Sequence, residues 1–267
     1  EEIKAGEILT LMASNPEPDD YGAMPVAEDQ APFVDVRSDF SKLQAFYAAG
    51  DGNEVWLRKL EEIKAQFAEM RCIRGDGNCF YRAMMFAIFE IAVSNSEYAK
   101  EFRKLLSDFF DAMTKEGGLG YQADAVEMFY DDTIKPLEET IEGKMTESAL
   151  REAFCEYATS NAIVFYARLV CSSYLQQQEE NFAPFLAVDG LTVKDFVNRE
   201  VEPLDTEVEH LQILALTQAL KVKLRIVYLD RSEGPLNTHE VSEDQTPGRP
   251  VVTMLYRPGH YDLLYPK

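Results

Sequence analysis

Arg74-Gly75-Asp76-Gly77-Asn78-Cys79-Phe80-Tyr81-Arg82-Ala83 sets a small, turn-prone loop directly ahead of an apolar run that continues through Met84, Phe86, Ala87 and Ile88. A cysteine delivered to the start of a helix meets unpaired N–H groups and the positive end of the helix dipole. Both stabilise a thiolate and raise the fraction of nucleophile at neutral pH. Gly75 and Gly77 allow the backbone to approach a substrate carbonyl closely, and the N–H groups around Gly77, Asn78 and Cys79 suit an oxyanion loop. Each such donor is worth roughly 3 kcal/mol to a transition state. The bland alternative is a buried cysteine behind an ordinary helix cap, and for a lone cysteine that is the commoner outcome.

What favours chemistry lies at the other end of the chain. A cysteine nucleophile needs a base to share its proton and a third group to orient that base. Of the three histidines, His260 opens the last apolar stretch, with Asp262 two residues on. On a strand these side chains leave the same face, about 7 Å apart along the backbone, and Tyr261 leaves the other. His239 sits in the polar segment 233–248 and reads as solvated, and His210 reads as a packing or rim residue on a helix. Cys72, Cys155 and Cys171 read as structural.

Working outward, helical patterns fill residues 39 to about 220. Ser96 precedes a stretch with Phe102, Leu105, Leu106, Phe109 and Met113 at helical spacing, stopped by Gly117-Gly118. Thr146 reads as the cap of a helix to about Thr159, Ser160 as the cap of the next, and Thr206 with Glu209 as a capping box. After residue 220 the period becomes two. Strands are expected over 222–228, 251–256 and 260–265, with Arg257-Pro258-Gly259-His260 as a type II turn. The fold class is therefore α+β, a mostly antiparallel sheet flanked by helices. Residues 1–38 differ: 1–14 read as a short amphipathic helix and 15–32 as an acidic, Pro-containing linker. Two units follow, an N-terminal segment 1–38 and a domain 39–267.

Composition narrows the function classes. The 47 acidic residues outweigh 26 basic ones, a formal net charge of −21, which repels phosphate backbones and anionic membranes and attracts basic partners. Neither a nucleic acid nor a membrane is expected as partner, and no run approaches the length of a membrane span. The four cysteines lack C-x-x-C spacing and form no metal pattern with the histidines, so no metal or other cofactor is expected. Sparse cysteines suit a reducing compartment, cytoplasmic or nuclear. The opening at Glu1, without Met, reads as a trimmed start.

Taken together, Gly75 to Ala83 resembles the nucleophile motif of ovarian-tumour-type deubiquitinases, and the Tyr-Arg-Ala at its end is similar to the otubains. Leu255-Tyr256-Arg257-Pro258-Gly259-His260-Tyr261-Asp262 resembles the otubain His/Asp motif. Arg199-Glu200-Val201-Glu202-Pro203, the stretch from Glu209 to Leu220, and Val227 to Arg231 also resemble the otubain subfamily, in order and spacing. The resemblance implies a papain-like fold and a thiol protease that hydrolyses isopeptide bonds at the C-terminus of ubiquitin in polyubiquitin or ubiquitin conjugates. It implies Cys79 as nucleophile, His260 as general base, Asp262 as its orienter and Asp76 as the residue that shapes the oxyanion loop. Ubiquitin's tail is arginine-rich, and Glu200 and Glu202 are the acidic wall expected to receive it. Some otubains bind and inhibit ubiquitin-charged conjugating enzymes without catalysis, which is the alternative reading. Ubiquitin-like modifiers as substrates stay open at this point, as does linkage preference.

Overall fold

Helix formation begins where apolar residues can share one face. In the computed structural model, residues 31–50, 53–241 and 248–267 are described; the expected helix over 1–14 and most of the linker over 15–32 lie outside them. Helix α1 (Ser41–Ala48) precedes α2 (Glu54–Gln66), which leads without a break into β1 (Phe67–Arg71). After the nucleophile loop come α3 (Cys79–Ser94), α4 (Ser96–Thr114), α5 (Ala123–Ile141), α6 (Glu147–Cys155), α7 (Tyr157–Gln177) and α8 (Glu179–Leu186). A single turn, α9 (Val193–Phe196), continues as a wider π turn to Val201, and α10 (His210–Ala219) precedes the remaining strands. These are β2 (Lys223–Tyr228), β3 (Asn237–Val241), β4 (Val251–Arg257) and β5 (His260–Pro266).

The five strands form one sheet in the order β1-β5-β4-β2-β3. Only β2 and β4 run parallel; the other pairings are antiparallel. The expected α+β class with a mostly antiparallel sheet is what the chain adopts. The turn between β4 and β5 also falls where expected, with Gly259 at φ 71°, the left-handed value that position i+2 of a type II turn requires.

The sheet divides the interior. One face carries Tyr256, Tyr261 and Leu263 into the large core built by α3 to α7, while Leu255 and Leu264 face a smaller core under α1 and α2. Helix α3 is apolar nearly all round and is buried nearly all round, as such a helix must be. By contrast α4 buries one stripe, Ala99, Phe102, Leu106, Phe109 and Met113, and exposes its charges.

Several local expectations are corrected. The helix expected over 146–159 stops at Cys155, because Glu156 turns extended and its carboxylate accepts from the N–H groups of Ala158 and Thr159, capping α7. Ser160 is therefore not a cap but a buried residue inside α7. Thr146 does cap α6, and Asn95 caps α4. The capping box of α10 pairs Glu209 with Gln212 and leaves Thr206 outside. The strand β1 was not expected, since no Gly or Pro separates it from α2, nor was β3 inside the polar segment.

Residues 31–38 lie along this domain. Val34 bridges to Ile73 and Ser38 to Met70. The Phe33 ring lies between two guanidiniums, Arg74 at 3.9 Å and Arg82 at 4.4 Å. Among the described residues no helix is long and apolar enough to cross a membrane.

Candidate active site

The loop after β1 carries Cys79 to the N-terminus of α3, and the β4–β5 hairpin carries His260 to the same place. His260 and Asp262 alternate with Tyr261 along β5, so the first two share a face and Tyr261 packs on Phe80 and Tyr256. His260 Nε2 and Asp262 Oδ1 are 2.9 Å apart. The other ring nitrogen, Nδ1, forms no full hydrogen bond among the described residues, and the Cys79 thiol is near enough to favour the protonated ring. All three side chains are buried.

The electrostatics follow from that contact. Burial alone would lower the His260 pKa, but the Asp262 charge and its hydrogen bond outweigh it and push the value up to about 9. Burial would raise Asp262, yet His260 and Arg257 hold its carboxyl well below the usual carboxylate range. Asp262 also accepts the Ile73 N–H at 2.9 Å and an Arg257 Nη2–H at 2.7 Å.

Gly75 and Gly77 are needed for different reasons. A side chain on Gly75 would begin 3.4 Å from His260 Nδ1, so the imidazole lies directly over this glycine. Gly77 has φ 73°, and a Cβ there would sit 2.4 Å from the backbone oxygen of Asp205. Its freedom therefore accommodates a neighbouring backbone, where the sequence suggested a substrate carbonyl. Asp205 is itself left-handed, φ 62°.

Asp76 holds the loop from inside. Its Oδ1 accepts the Asn78 N–H at 3.0 Å and an Arg82 Nη1–H at 2.7 Å. That occupies the Asn78 N–H, while no hydrogen bond among the described residues takes the N–H of Gly77 or Cys79. The Asn78 amide is also spent: Nδ2 donates to Asp205, and Oδ1 accepts from the Asp205 N–H and from Arg168.

Arg168, which interrupts the apolar run 162–170, is the residue that sequence reasoning passed over. From inside α7 it donates to the carbonyls of Gly77, Val201 and Thr206 as well as to Asn78 Oδ1. Glu90, a second interruption of that kind, pairs with Arg71 at 2.9 Å. A charge set within an apolar run was the signal in both cases.

A cleft of about 300 Å³ runs past the thiol, lined by Gly77, Cys79, Phe80, Glu200, Glu207, Glu209 and Tyr256 among others. Glu200 is at its wall. Glu202 is not a lining residue; its carboxylate accepts from Tyr121 and Ser172 at the side of α7. Glu207 and Glu209, which the sequence reading did not assign to the groove, are at the wall instead. Partial burial and the charges of Glu200 and Asp189 raise the Glu209 carboxyl. His239 lies on β3, half-buried against Tyr228, and His210 begins α10.

The family model described as Peptidase C65 Otubain matches residues 27–266. Human ubiquitin thioesterase OTUB1 is 35% identical over 237 residues, 88% of this chain and 84% of that protein. The otubain-like ubiquitin thioesterase of Caenorhabditis elegans is 33% identical over 242 residues, covering 90% and 84%. A solved ceOTUB1 complex with ubiquitin aldehyde and UBC13~Ub matches with TM-score 0.84 and 32% identity, over 90% of this chain and 96% of that one. The chain thus belongs to the otubain family of C65 peptidases.

Proposed function

We propose that this chain is a thiol protease that hydrolyses isopeptide bonds at the C-terminus of ubiquitin. The observation that carries the reading is the meeting of Cys79, which lines the cleft, with the His260–Asp262 pair. In the first step the Cys79 thiolate attacks the scissile carbonyl carbon, and the oxyanion faces the free N–H groups of Cys79 and Gly77. The His260 imidazolium gives its proton to the departing lysine amine, leaving a thioester on Cys79. Water then attacks the thioester as His260 takes a proton from it, which releases the ubiquitin carboxylate and restores the thiol–imidazole pair. Asp262 keeps Nδ1 aimed at sulfur throughout, and Asp76 shapes the loop by holding Asn78 and Arg82.

Glu200, Glu207 and Glu209 form an acidic wall suited to a basic tail. Free cysteines at 72, 79, 155 and 171 suit the cytoplasm or nucleus, where we place the protein. A ubiquitin probe with a C-terminal electrophile should form an adduct that disappears in Cys79→Ala. An adduct that survives the substitution defeats the assignment.

A second reading, binding of ubiquitin-charged conjugating enzymes without hydrolysis, draws support from solved relatives, which are complexes with UBC13~Ub and UBCH5B~Ub. It predicts that Cys79→Ser binds such a charged enzyme as well as wild type does. Loss of that binding would remove the second reading and leave the first.

A further inference from the structure

We propose that Arg257 is a positioning residue of this active site, acting on His260 through Asp262, with the helical pair α1–α2 as its buttress. The inference rests on the triad reading above. Arg257 ends β4 and is the cross-strand partner of His260, so one hairpin supplies both the base and a cation for its carboxylate. Its side chain is 2% exposed, and Nη2 lies 2.7 Å from Asp262 Oδ2. The second oxygen, Oδ1, takes His260 Nε2 and the Ile73 N–H, both at 2.9 Å. A carboxylate held on one oxygen can swing about its Cβ–Cγ bond. Held on both, it turns only by breaking a charge-assisted hydrogen bond.

The guanidinium also balances charge. Asp262 favours the imidazolium, and Arg257 opposes it. Without the cation, the ring would keep its proton to higher pH. The charged and titratable groups around the imidazole are Cys79 of α3, Asp262 of β5 and Arg257 of β4. Around the Asp262–Arg257 pair they are Tyr47 of α1 and Cys72 before the loop. Tyr47 sets its hydroxyl beside the guanidinium. Its ring stacks on Trp56 of α2, 4.8 Å between centroids and 12° between planes. Neither aromatic lines the cleft. The α1–α2 layer therefore bears on the chemistry without touching substrate.

The test compares wild type with Arg257→Lys, Arg257→Met, Asp262→Asn and the double variant Asp262→Asn/Arg257→Met. Kinetics on ubiquitin carrying a C-terminal fluorogenic amide, and alkylation of Cys79 by iodoacetamide, are followed across pH. Arg257→Met should lower kcat about 10- to 100-fold with KM within about twofold, and move the alkaline limb up by about one pH unit. Arg257→Lys, which keeps the charge, should recover much of kcat and leave the limb in place. The double variant should be no slower than Asp262→Asn alone. If Arg257→Met does not fold, the lysine variant and the double variant, in which no charge is buried unpaired, decide the matter. An unchanged kcat and alkaline limb in Arg257→Met overturns the proposal, and so does a double variant tenfold slower than Asp262→Asn. Wild type inert toward ubiquitin would instead defeat the triad reading.

Discussion

Two carboxylates are buried against cations on the α1–α2 side of the sheet, and they serve different ends. Beyond β2, Asp230 accepts from Lys59, from the Ser232 hydroxyl at 2.6 Å and from the Ser232 N–H at 3.0 Å. Lys59 also reaches the Ser232 hydroxyl at 2.8 Å, which closes the cluster on itself. At the β4–β5 hairpin, Asp262 has a cation and a backbone N–H of the same kind, but its third partner is a histidine whose second nitrogen looks toward a thiol. Burial and ion pairing are common to both. What separates them is whether one partner can pass a proton onward, and burial alone would have given the same score to each.

His260→Ala tests that distinction most severely. Removing the base should lower kcat on a ubiquitin substrate about 10³-fold, whereas Asp262→Asn should cost less, because an amide still orients the ring. The opposite ranking would mean the roles are exchanged. Lys59→Met should act on the other carboxylate, lowering stability in urea by about 3 kcal/mol through the unpaired Asp230 while kcat of the folded enzyme stays within about twofold. A Lys59→Met enzyme as slow as Asp262→Asn would erase the contrast between the two pairs.

Gly77→Ala should cost about 2 kcal/mol, from the left-handed backbone and the approach of Asp205, and slow the enzyme by about tenfold through the displaced loop. Unaltered melting and turnover would show that the two loops do not bear on each other. Titration separates the pairs more gently. The raised His260 contributes stability that is full below about pH 6.5 and is lost as pH rises through about 9. Asp230 and Asp262, both lowered, contribute above about pH 4 and lose it in acid. The melting temperature should therefore fall by a few degrees on the alkaline side, and that fall should vanish in His260→Ala but persist in Lys59→Met. Smallest of all, Glu207→Gln should raise KM about threefold at low salt and hardly at all at high salt.

Much of this was legible from residues alone. Gly75 to Ala83 and His260 to Asp262 carry their chemistry in a short span, where local geometry decides the outcome. Arg257 was visible as a turn and motif residue but not as the partner of Asp262, because that pairing is fixed by the hairpin register. Arg168 and Asn78 meet across 90 residues of chain, and nothing in either neighbourhood announces it. The strand β1 hid behind a helix with no breaker between them. The strand β3 hid because Asn237, Thr238, His239 and Glu240 bury little at the sheet edge, leaving only Val241 fully inside. Glu202 misled for a related reason: its charge suggested the groove, and its hydrogen bonds to Tyr121 and Ser172 draw it to the helix.

Phe33 gives the stretch ahead of α1 a mechanical part in the molecule. Its ring is a shim between two like charges, one on the strand side of the nucleophile loop and one gripping that loop through Asp76. Withdraw the shim and the two guanidiniums repel across a gap that water would fill. A proteolytic nick near residue 33 would thus be transmitted to the sulfur, although no bond in the cleft had been cut.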